Sequence, residues 1–343
     1  MSSSPGEIDV SELAARASAA SCRCTPGATV TDVRPLPGGQ SSLTFSASLE
    51  ADGSASRIVL KVAPPGLPPT RNRDVLRQAA VLRALRPVRD FRVPQVLFDD
   101  PGAPPEIPPL YGMTHIGGEC FEPHVDATES RSTGIAGRAR HAARLLAVLH
   151  RQEPPRLGLD EPPIPLAAEV DRWERALRTV TDLTGDTTRL VRELRAAIPD
   201  EVAPRLLHGD FRLGNMLARG ARVAAVIDWE IWSIGDPRLD LSWFLLCADA
   251  AWHPVAVRHH PLMPGPTQLA GAYAIAGGPA PPEDGDWFRA LSLVKMTAST
   301  ALIAKHLRQR GQERTATATA RPIGLMLERA ELALADGTSG RRI

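Results

Sequence analysis

An α+β fold in two lobes is predicted: a small N-terminal antiparallel sheet with one helix, then a larger and mostly helical C-terminal lobe. Two observations carry the prediction. Residues 43–50 alternate, with Leu43, Phe45, Ala47 and Leu49 set against Thr44, Ser46 and Ser48, which is the period of a half-buried strand. From residue 136 onward the apolar residues recur at helical spacing instead, beginning with Ala139, Ala142, Ala143, Leu146 and Leu149. At 343 residues the chain can bury one large core, or two lobes that share a cleft.

In order, residues 8–21 read as a short amphipathic helix and residues 30–37 as a first strand. Gly38-Gly39-Gln40-Ser41-Ser42 reads as a flexible loop. The alternating strand follows, then the turn Ala51-Asp52-Gly53-Ser54, then a third strand over 57–62 that carries Lys61. Residues 64–69 are a proline-rich loop. Residues 73–85 place Val75, Ala79, Leu82 and Leu85 at helical spacing, and 93–98 is strand-like. An apolar segment over 110–116 ends at Gly117-Gly118 and reads as a hinge. These elements divide the chain into a first lobe (1–110), a hinge (111–118) and a second lobe (119–343). Further helices are expected over 136–150, 167–180, 188–198, 240–251, 287–310 and 323–334, with a connecting loop over 151–166. The short low-complexity stretch at 315–320 is assigned no role.

Composition narrows the function classes. The formal net charge is +1, without a basic stripe or a run of like charges, so neither nucleic acid nor an anionic membrane is expected as a partner. Cys22, Cys24, Cys120 and Cys247 are scattered and read as ordinary reduced thiols. The first residues lack the basic and apolar regions of a leader, and the longest apolar run, near 241–252, is too short for a membrane and contains Asp249. A cytoplasmic location is expected. Of the 40 basic residues only Lys61, Lys295 and Lys305 are lysine, so a lysine is a mildly informative choice in this chain.

The chemistry concentrates in residues 206–228. There Asp210 is followed five residues later by Asn215, and a short hairpin turning at Arg219-Gly220-Ala221 delivers Asp228. An aspartate that accepts a hydrogen bond from an attacking hydroxyl, with an asparagine and a second aspartate holding magnesium on a nucleotide, is the set a phosphoryl-transfer site needs. Oxygen ligands completed by phosphates suit that metal. Lys61 stands about twenty residues after the Gly38-Gly39 loop, as a cation beneath a loop folded over phosphates would.

The sequence resembles the aminoglycoside phosphotransferase and choline kinase-like family, a branch of the protein-kinase-like fold. His208-Gly209-Asp210-Phe211-Arg212-Leu213-Gly214-Asn215, Val226-Ile227-Asp228-Trp229-Glu230 and Gly235-Asp236-Pro237-Arg238-Leu239-Asp240-Leu241 carry the resemblance, which spans residues 30–335. It looks closest to the broad bacterial group related to acyl-CoA-dehydrogenase-associated kinases. The resemblance implies Asp210 as catalytic base and Asn215 and Asp228 as magnesium ligands. It implies Lys61, under the loop of Gly38, Gly39, Gln40, Ser41 and Ser42, as the contact to the nucleotide phosphates. It further implies Met113, Thr114, His115 and Ile116 as hinge backbone facing the base. The family's first long helix usually offers a glutamate to the strand lysine. Here that place holds Gln78, with Asp74 as the alternative partner.

The expected reaction is ATP- or GTP- and magnesium-dependent phosphorylation of a hydroxyl on a small molecule. The alternative is a nucleotide-binding module that does not turn over, which Gln78 alone favours. The short span from Asp228 to Gly235-Asp236-Pro237 leaves little room for the activation loop of a protein kinase. His208 and Asp240 are read as braces of the loop, Asp240 also as a helix N-cap, and Trp229 and Trp232 as core or cleft wall. The acceptor stays open among hydroxyacyl-CoA, sugar, amino alcohol and antibiotic, because acids and arginines are mixed through residues 151–204.

Overall fold

The computed structural model describes residues 8–36, 42–126, 134–256, 260–279 and 285–340. The first helix, α1 (Val10–Cys24), starts at Asp9, whose carboxylate accepts from the Ser11 and Glu12 N–H groups at 2.8 and 3.3 Å. It buries the stripe Leu13, Ala17 and Ala20 against one face of a five-stranded antiparallel sheet. The strands are β1 (Thr29–Pro35), β2 (Leu43–Ala51), β3 (Ser54–Val62), β4 (Val96–Asp100) and β5 (Leu110–Thr114), in the spatial order β1-β2-β3-β5-β4. The predicted alternation holds where packing demands it: Phe45 and Ala47 are buried with Ile58 and Leu60 of β3, whereas Leu43 at the strand start is exposed. The central position of β5 needs a glycine, since a Cβ on Gly112 would stand 2.3 Å from the Phe98 ring of β4.

The other face of the sheet receives α2 (Val75–Leu85), which buries Val75, Ala79 and Leu82 beside Tyr111 and Met113 of β5. This helix starts two residues later than the spacing predicts. Asp74 is its N-cap, accepting from the Arg77 N–H at 3.0 Å, and does not belong to a helical face.

Beyond the sheet the chain is mostly helical: α3 (Ile135–His150), α4 (Leu166–Arg178), α5 (Thr181–Thr184) and α6 (Thr188–Ala196). Four short strands interrupt it. β6 (Arg205–Leu207) pairs with β9 (Ser233–Gly235), and β7 (Met216–Arg219) forms a hairpin with β8 (Arg222–Val226). Then come α7 (Arg238–Ala248), α8 (Pro266–Ile275), α9 (Gly285–Gln309), α10 (Glu313–Ala320) and α11 (Ile323–Gly340). β6, β9, α5, α8 and α10 are additions to the sequence reading. Within α8 only Leu269 and Tyr273 are buried, and α10 is the stretch read as low complexity, with Ala316 as its one buried residue. Neither helix carries the wide apolar stripe that spacing detects.

Two clusters organise the helical part. α4, α6, α7, α9 and α11 meet around Trp173, Leu177, Trp243, Trp287, Phe288 and Met326. A second cluster joins Tyr111 and Met113 of the sheet to α3 and to Phe211, Leu213, Met216 and Trp229 of the 206–229 region. That apolar continuity fixes the sheet over the β7–β8 hairpin, with a cleft between them. Among the described residues, no helix is long and apolar enough to cross a membrane.

Candidate active site

β6 ends at Leu207 and delivers the loop of His208, Gly209 and Asp210. Asp240, 2% exposed in the first turn of α7, accepts from the His208 and Gly209 N–H groups at 2.6 and 2.9 Å. It therefore braces the loop as predicted, but it is not an N-cap; that position belongs to Pro237. The Asp210 N–H donates to His208 Nδ1 at 3.1 Å, so the opposite ring nitrogen carries the hydrogen and donates to the Ile227 carbonyl at 2.9 Å. One imidazole thus ties the start of the loop to the end of the hairpin. Gly209 has φ +85°, and a Cβ there would lie 2.5 Å from the Ile231 carbonyl oxygen, so only glycine fits.

The Asp210 carboxylate is held from three sides. Trp243 Nε1 donates to Oδ1 at 2.7 Å, Arg212 Nε lies 3.2 Å from both oxygens, and Asn215 Nδ2 donates to Oδ2 at 2.7 Å. Burial pushes this carboxyl up, but the Arg212 and Lys295 cations and the Asn215 hydrogen bond outweigh it and leave it below the ordinary aspartate range. Arg212 also donates to Glu122 at 3.1 Å, and Glu122 accepts the Gly214 N–H at 2.9 Å. Burial dominates for Glu122 and pushes its carboxyl up to about 7 against those partners.

Asn215 closes a 3₁₀ turn and gives its second amide hydrogen to the Asp210 carbonyl at 2.9 Å. Both hydrogens are therefore spent on Asp210, and the side-chain carbonyl oxygen is left to bind elsewhere. The Asn215 carbonyl accepts the Ile227 N–H at 3.0 Å, which draws the two arms of the hairpin together. The next residue, Asp228, has φ +67°, a left-handed conformation that aspartate tolerates better than most residues.

Lys61 on β3 is buried. Its ammonium donates to Ser42 Oγ at 3.3 Å and stands 3.9 Å from Asp228 Oδ1. Neither Gln78 nor Asp74 is its partner. Gln78 is buried on α2 but donates its amide to the Asn72 carbonyl at 3.2 Å, and Asp74 is occupied as the helix cap. The expected helix-to-lysine pair is thus replaced by a contact from Lys61 to the far side of the cleft.

A cleft of about 310 Å³ brings the predicted residues together. Lys61, Gln78, Met113, Thr114, His115, Ile116, Asn215 and Asp228 all line it, with Val59, Leu82, Tyr111, Leu217 and Ile227 as apolar walls. Asp210 does not line it and reaches it through Asn215. Ser42 joins through its bond to Lys61, while Gly38, Gly39, Gln40 and Ser41 lie outside the described residues. Within 113–116, Met113 is in the ladder between Val59 and Val96. The Thr114 and His115 N–H groups are spent on the Gln95 and Arg57 carbonyls, and Ile116 is the first residue past the strand whose N–H meets no partner among the described residues. Sequence reasoning missed Trp243, Glu122 and Lys295, which reach the loop from elsewhere. The scarcity of lysine was the one signal that pointed at the last of them.

A profile of the phosphotransferase enzyme family (APH) matches residues 32–285. Acyl-CoA dehydrogenase family member 11 of Gallus gallus is 31% identical over 239 residues, which is 65% of this chain and 29% of that protein. The chain spans between a quarter and a third of the length of the curated relatives of this type. Among solved structures, a candidate aminoglycoside phosphotransferase from Ralstonia eutropha superposes with a TM-score of 0.72 at 21% identity, covering 95% of this chain and 99% of that one. The GDP complex of aminoglycoside 2′-phosphotransferase-IIIa superposes with a TM-score of 0.59 at 15% identity, covering 96% and 99%. At these identities the structural likeness is one of fold.

Proposed function

This chain belongs to the phosphotransferase enzyme family, and on that premise we propose that it transfers the terminal phosphoryl group of ATP or GTP to a hydroxyl of a small molecule. The observation that supports the reading is the cleft that sets Lys61 against Asn215 and Asp228, with Asp210 fastened to Asn215 at its edge.

In this reading Asp210 orients the acceptor. An ionised carboxylate offers about four lone-pair positions. Trp243 holds Oδ1, Asn215 holds Oδ2 and the single Arg212 Nε–H is shared between the two oxygens, so the acceptor hydroxyl would take its place beside that shared bond. A carboxyl held below its ordinary range is a weak base, so its task is to align the oxygen and to take the proton late. That suits a transition state in which the nucleophile has formed little bond. Lys61 exchanges its contact with Asp228 for the nucleotide phosphates. Ile116 offers its N–H to the base at the apolar end of the cleft.

Asn215 and Asp228 fit a magnesium ion: the asparagine has only its oxygen free, and the aspartate faces the lysine that would meet the same phosphates. Among the described residues no cluster of three His, Cys, Asp or Glu side chains could hold a metal unaided, so nucleotide oxygens complete the set. Bound there, magnesium would offset phosphate charge.

The test is incubation of the purified protein with Mg·ATP or Mg·GTP and a library of alcohols, sugars, amino alcohols and hydroxyacyl-CoA, with phosphorylated products sought by mass spectrometry. Turnover that survives Asp210→Ala would refute the assignment of that residue. Nucleotide binding that ignores both magnesium and Asp228→Asn would refute the metal site. Tight nucleotide binding with no product from any acceptor would favour the non-catalytic alternative.

A further inference from the structure

Lys295 lies on α9, 86 residues beyond the loop it touches, and is one of three lysines in an arginine-rich chain. Its ammonium donates to the carbonyl of Gly209, the residue immediately before Asp210. The same ammonium sits over the Trp243 indole, 4.1 Å from the ring centroid, and that indole donates to Asp210 Oδ1. Two independent routes, one through backbone and one through an aromatic ring, therefore run from a single cation to the Asp210 carboxylate.

We propose that Lys295 is a positioning residue for phosphoryl transfer, a clamp by which α9 fixes the Asp210 loop in the orientation that meets the acceptor. The inference rests on the catalytic reading of Asp210 given above. The other contacts of the loop come from nearby elements: Asp240 holds the His208 and Gly209 N–H groups, and His208 holds the Asp210 N–H. These secure the donors of the loop but leave the Gly209 carbonyl to Lys295. A glycine at φ +85° has no side chain to restrict the adjoining peptide planes, so a charge-assisted bond to its carbonyl controls how the next residue is presented. The indole needs the same cation. A Trp243 donor that swings slightly would release Oδ1, and the ammonium on its ring face holds the plane.

Burial pushes the Lys295 ammonium below the ordinary lysine range, and Asp210, Asp240 and Glu169 offset part of that. The carboxylates around the cation come from three elements: Asp210 from the loop, Asp240 from α7 and Glu169 from α4. Arginine is the default cation of this chain, but a flat guanidinium offers no compact ammonium to sit on the indole and reach the carbonyl together.

The experiment compares wild type, Lys295→Met, Lys295→Arg, Trp243→Phe and the Lys295→Met/Trp243→Phe double variant. Mg·ATP turnover to ADP is the rate probe, and the indole N–H resonance of Trp243, assigned by its loss in Trp243→Phe, is the structural probe. Lys295→Met is expected to lower kcat by roughly tenfold or more while the KM for ATP stays within about twofold, since loop orientation and not nucleotide binding is removed. The Trp243 resonance shifts in Lys295→Met, Lys295→Arg recovers part of the rate, and the double variant is little slower than the slower single variant, because Lys295→Met already removes the cation on which the indole route depends. Wild-type kcat in Lys295→Met, a rise in KM alone, or an unmoved resonance would each overturn the proposal. If Lys295→Met does not fold, Lys295→Gln carries the same expectations. A wild-type protein that turns over no nucleotide counts against the proposed function, and the resonance comparison then decides the clamp separately.

Discussion

Gln78→Glu is expected to weaken this protein and not to complete its site. The substitution would restore the acid that the family usually offers to the strand lysine. In this chain, however, Gln78 is 2% exposed and its amide donates to the Asn72 carbonyl at 3.2 Å. A carboxylate has no hydrogen to give, so that carbonyl loses its donor and two oxygens face each other at a similar distance. The lost bond costs about 1 kcal/mol, and a buried carboxylate facing an acceptor adds about 2 kcal/mol. Rotation toward Lys61 would recover part, but that ammonium already engages Ser42 and Asp228. A net loss of roughly 2 kcal/mol lowers Tm by several degrees in a chain of this size. The sign with pH follows. The introduced acid is disfavoured as an anion in the folded state, so the folded variant binds a proton more tightly than the unfolded one. The penalty is then full at alkaline pH and fades as pH falls toward the ordinary glutamate range. Thermal unfolding at pH 8 and pH 5, with Mg·ATP titration at pH 8, measures both effects. An unchanged or raised Tm at pH 8 together with tighter Mg·ATP binding would refute the reasoning, because it would mean that Lys61 takes a carboxylate from α2.

Asp210→Asn keeps the shape of the loop and removes the acceptor of the substrate proton, so kcat should fall by roughly 10³-fold or more while nucleotide affinity measured by titration stays near wild type. Gly209→Ala forces a Cβ to within 2.5 Å of the Ile231 carbonyl at a φ of +85°, and a loss of Tm with loss of turnover is expected. Glu122→Gln tests the buried carboxyl beside Arg212. Its folded pKa is raised to about 7, so wild type forfeits stability as pH rises from about 4.5 to 7. Relative to wild type the glutamine variant should gain on the order of 1–3 kcal/mol at pH 8 and nothing at pH 4.5, read from denaturant melts at both.

The parts of this molecule that were legible in the sequence are those whose signal is local. The period of two in β2, the spacing of α3 and the hairpin between Asn215 and Asp228 each depend on residues close to one another in the chain. The misreadings have local causes too. Spacing extends α2 back to residue 73 and so takes in Asp74, because a residue at a helix start looks the same in sequence whether it caps the helix or lies within it; the bond from the Arg77 N–H settles that it caps. Spacing also makes Asp240 a cap, but it is the third residue of α7, with its carboxylate turned back to the loop. The helix α8 escapes because it buries only two residues, Leu269 and Tyr273, and so carries no stripe.

What stayed hidden around Asp210 is of a different kind. Trp243, Lys295 and Glu122 come from three separate elements, and each has a bland reading in its own neighbourhood: an aromatic on a buried helix, a cation in a long helix, an acid after a glycine pair. None can be promoted by spacing, because Trp243 and Lys295 are brought in by how α7 and α9 pack around Trp243 and Phe288, and Glu122 by its bonds to Arg212 and Gly214. The consequence is physical. In the proposed reading the chemistry falls to Lys61 and to the stretch from Asp210 to Asp228, but the orientation of the Asp210 loop is set by helix packing far along the chain. Substitutions in the apolar contacts between α7 and α9 should therefore reach the rate through Trp243 and Lys295 before they reach nucleotide binding, since the cleft is walled by the sheet and the β7–β8 hairpin and not by those helices. A core variant at the α7–α9 contact that raised the KM for ATP and left kcat untouched would contradict this division of labour.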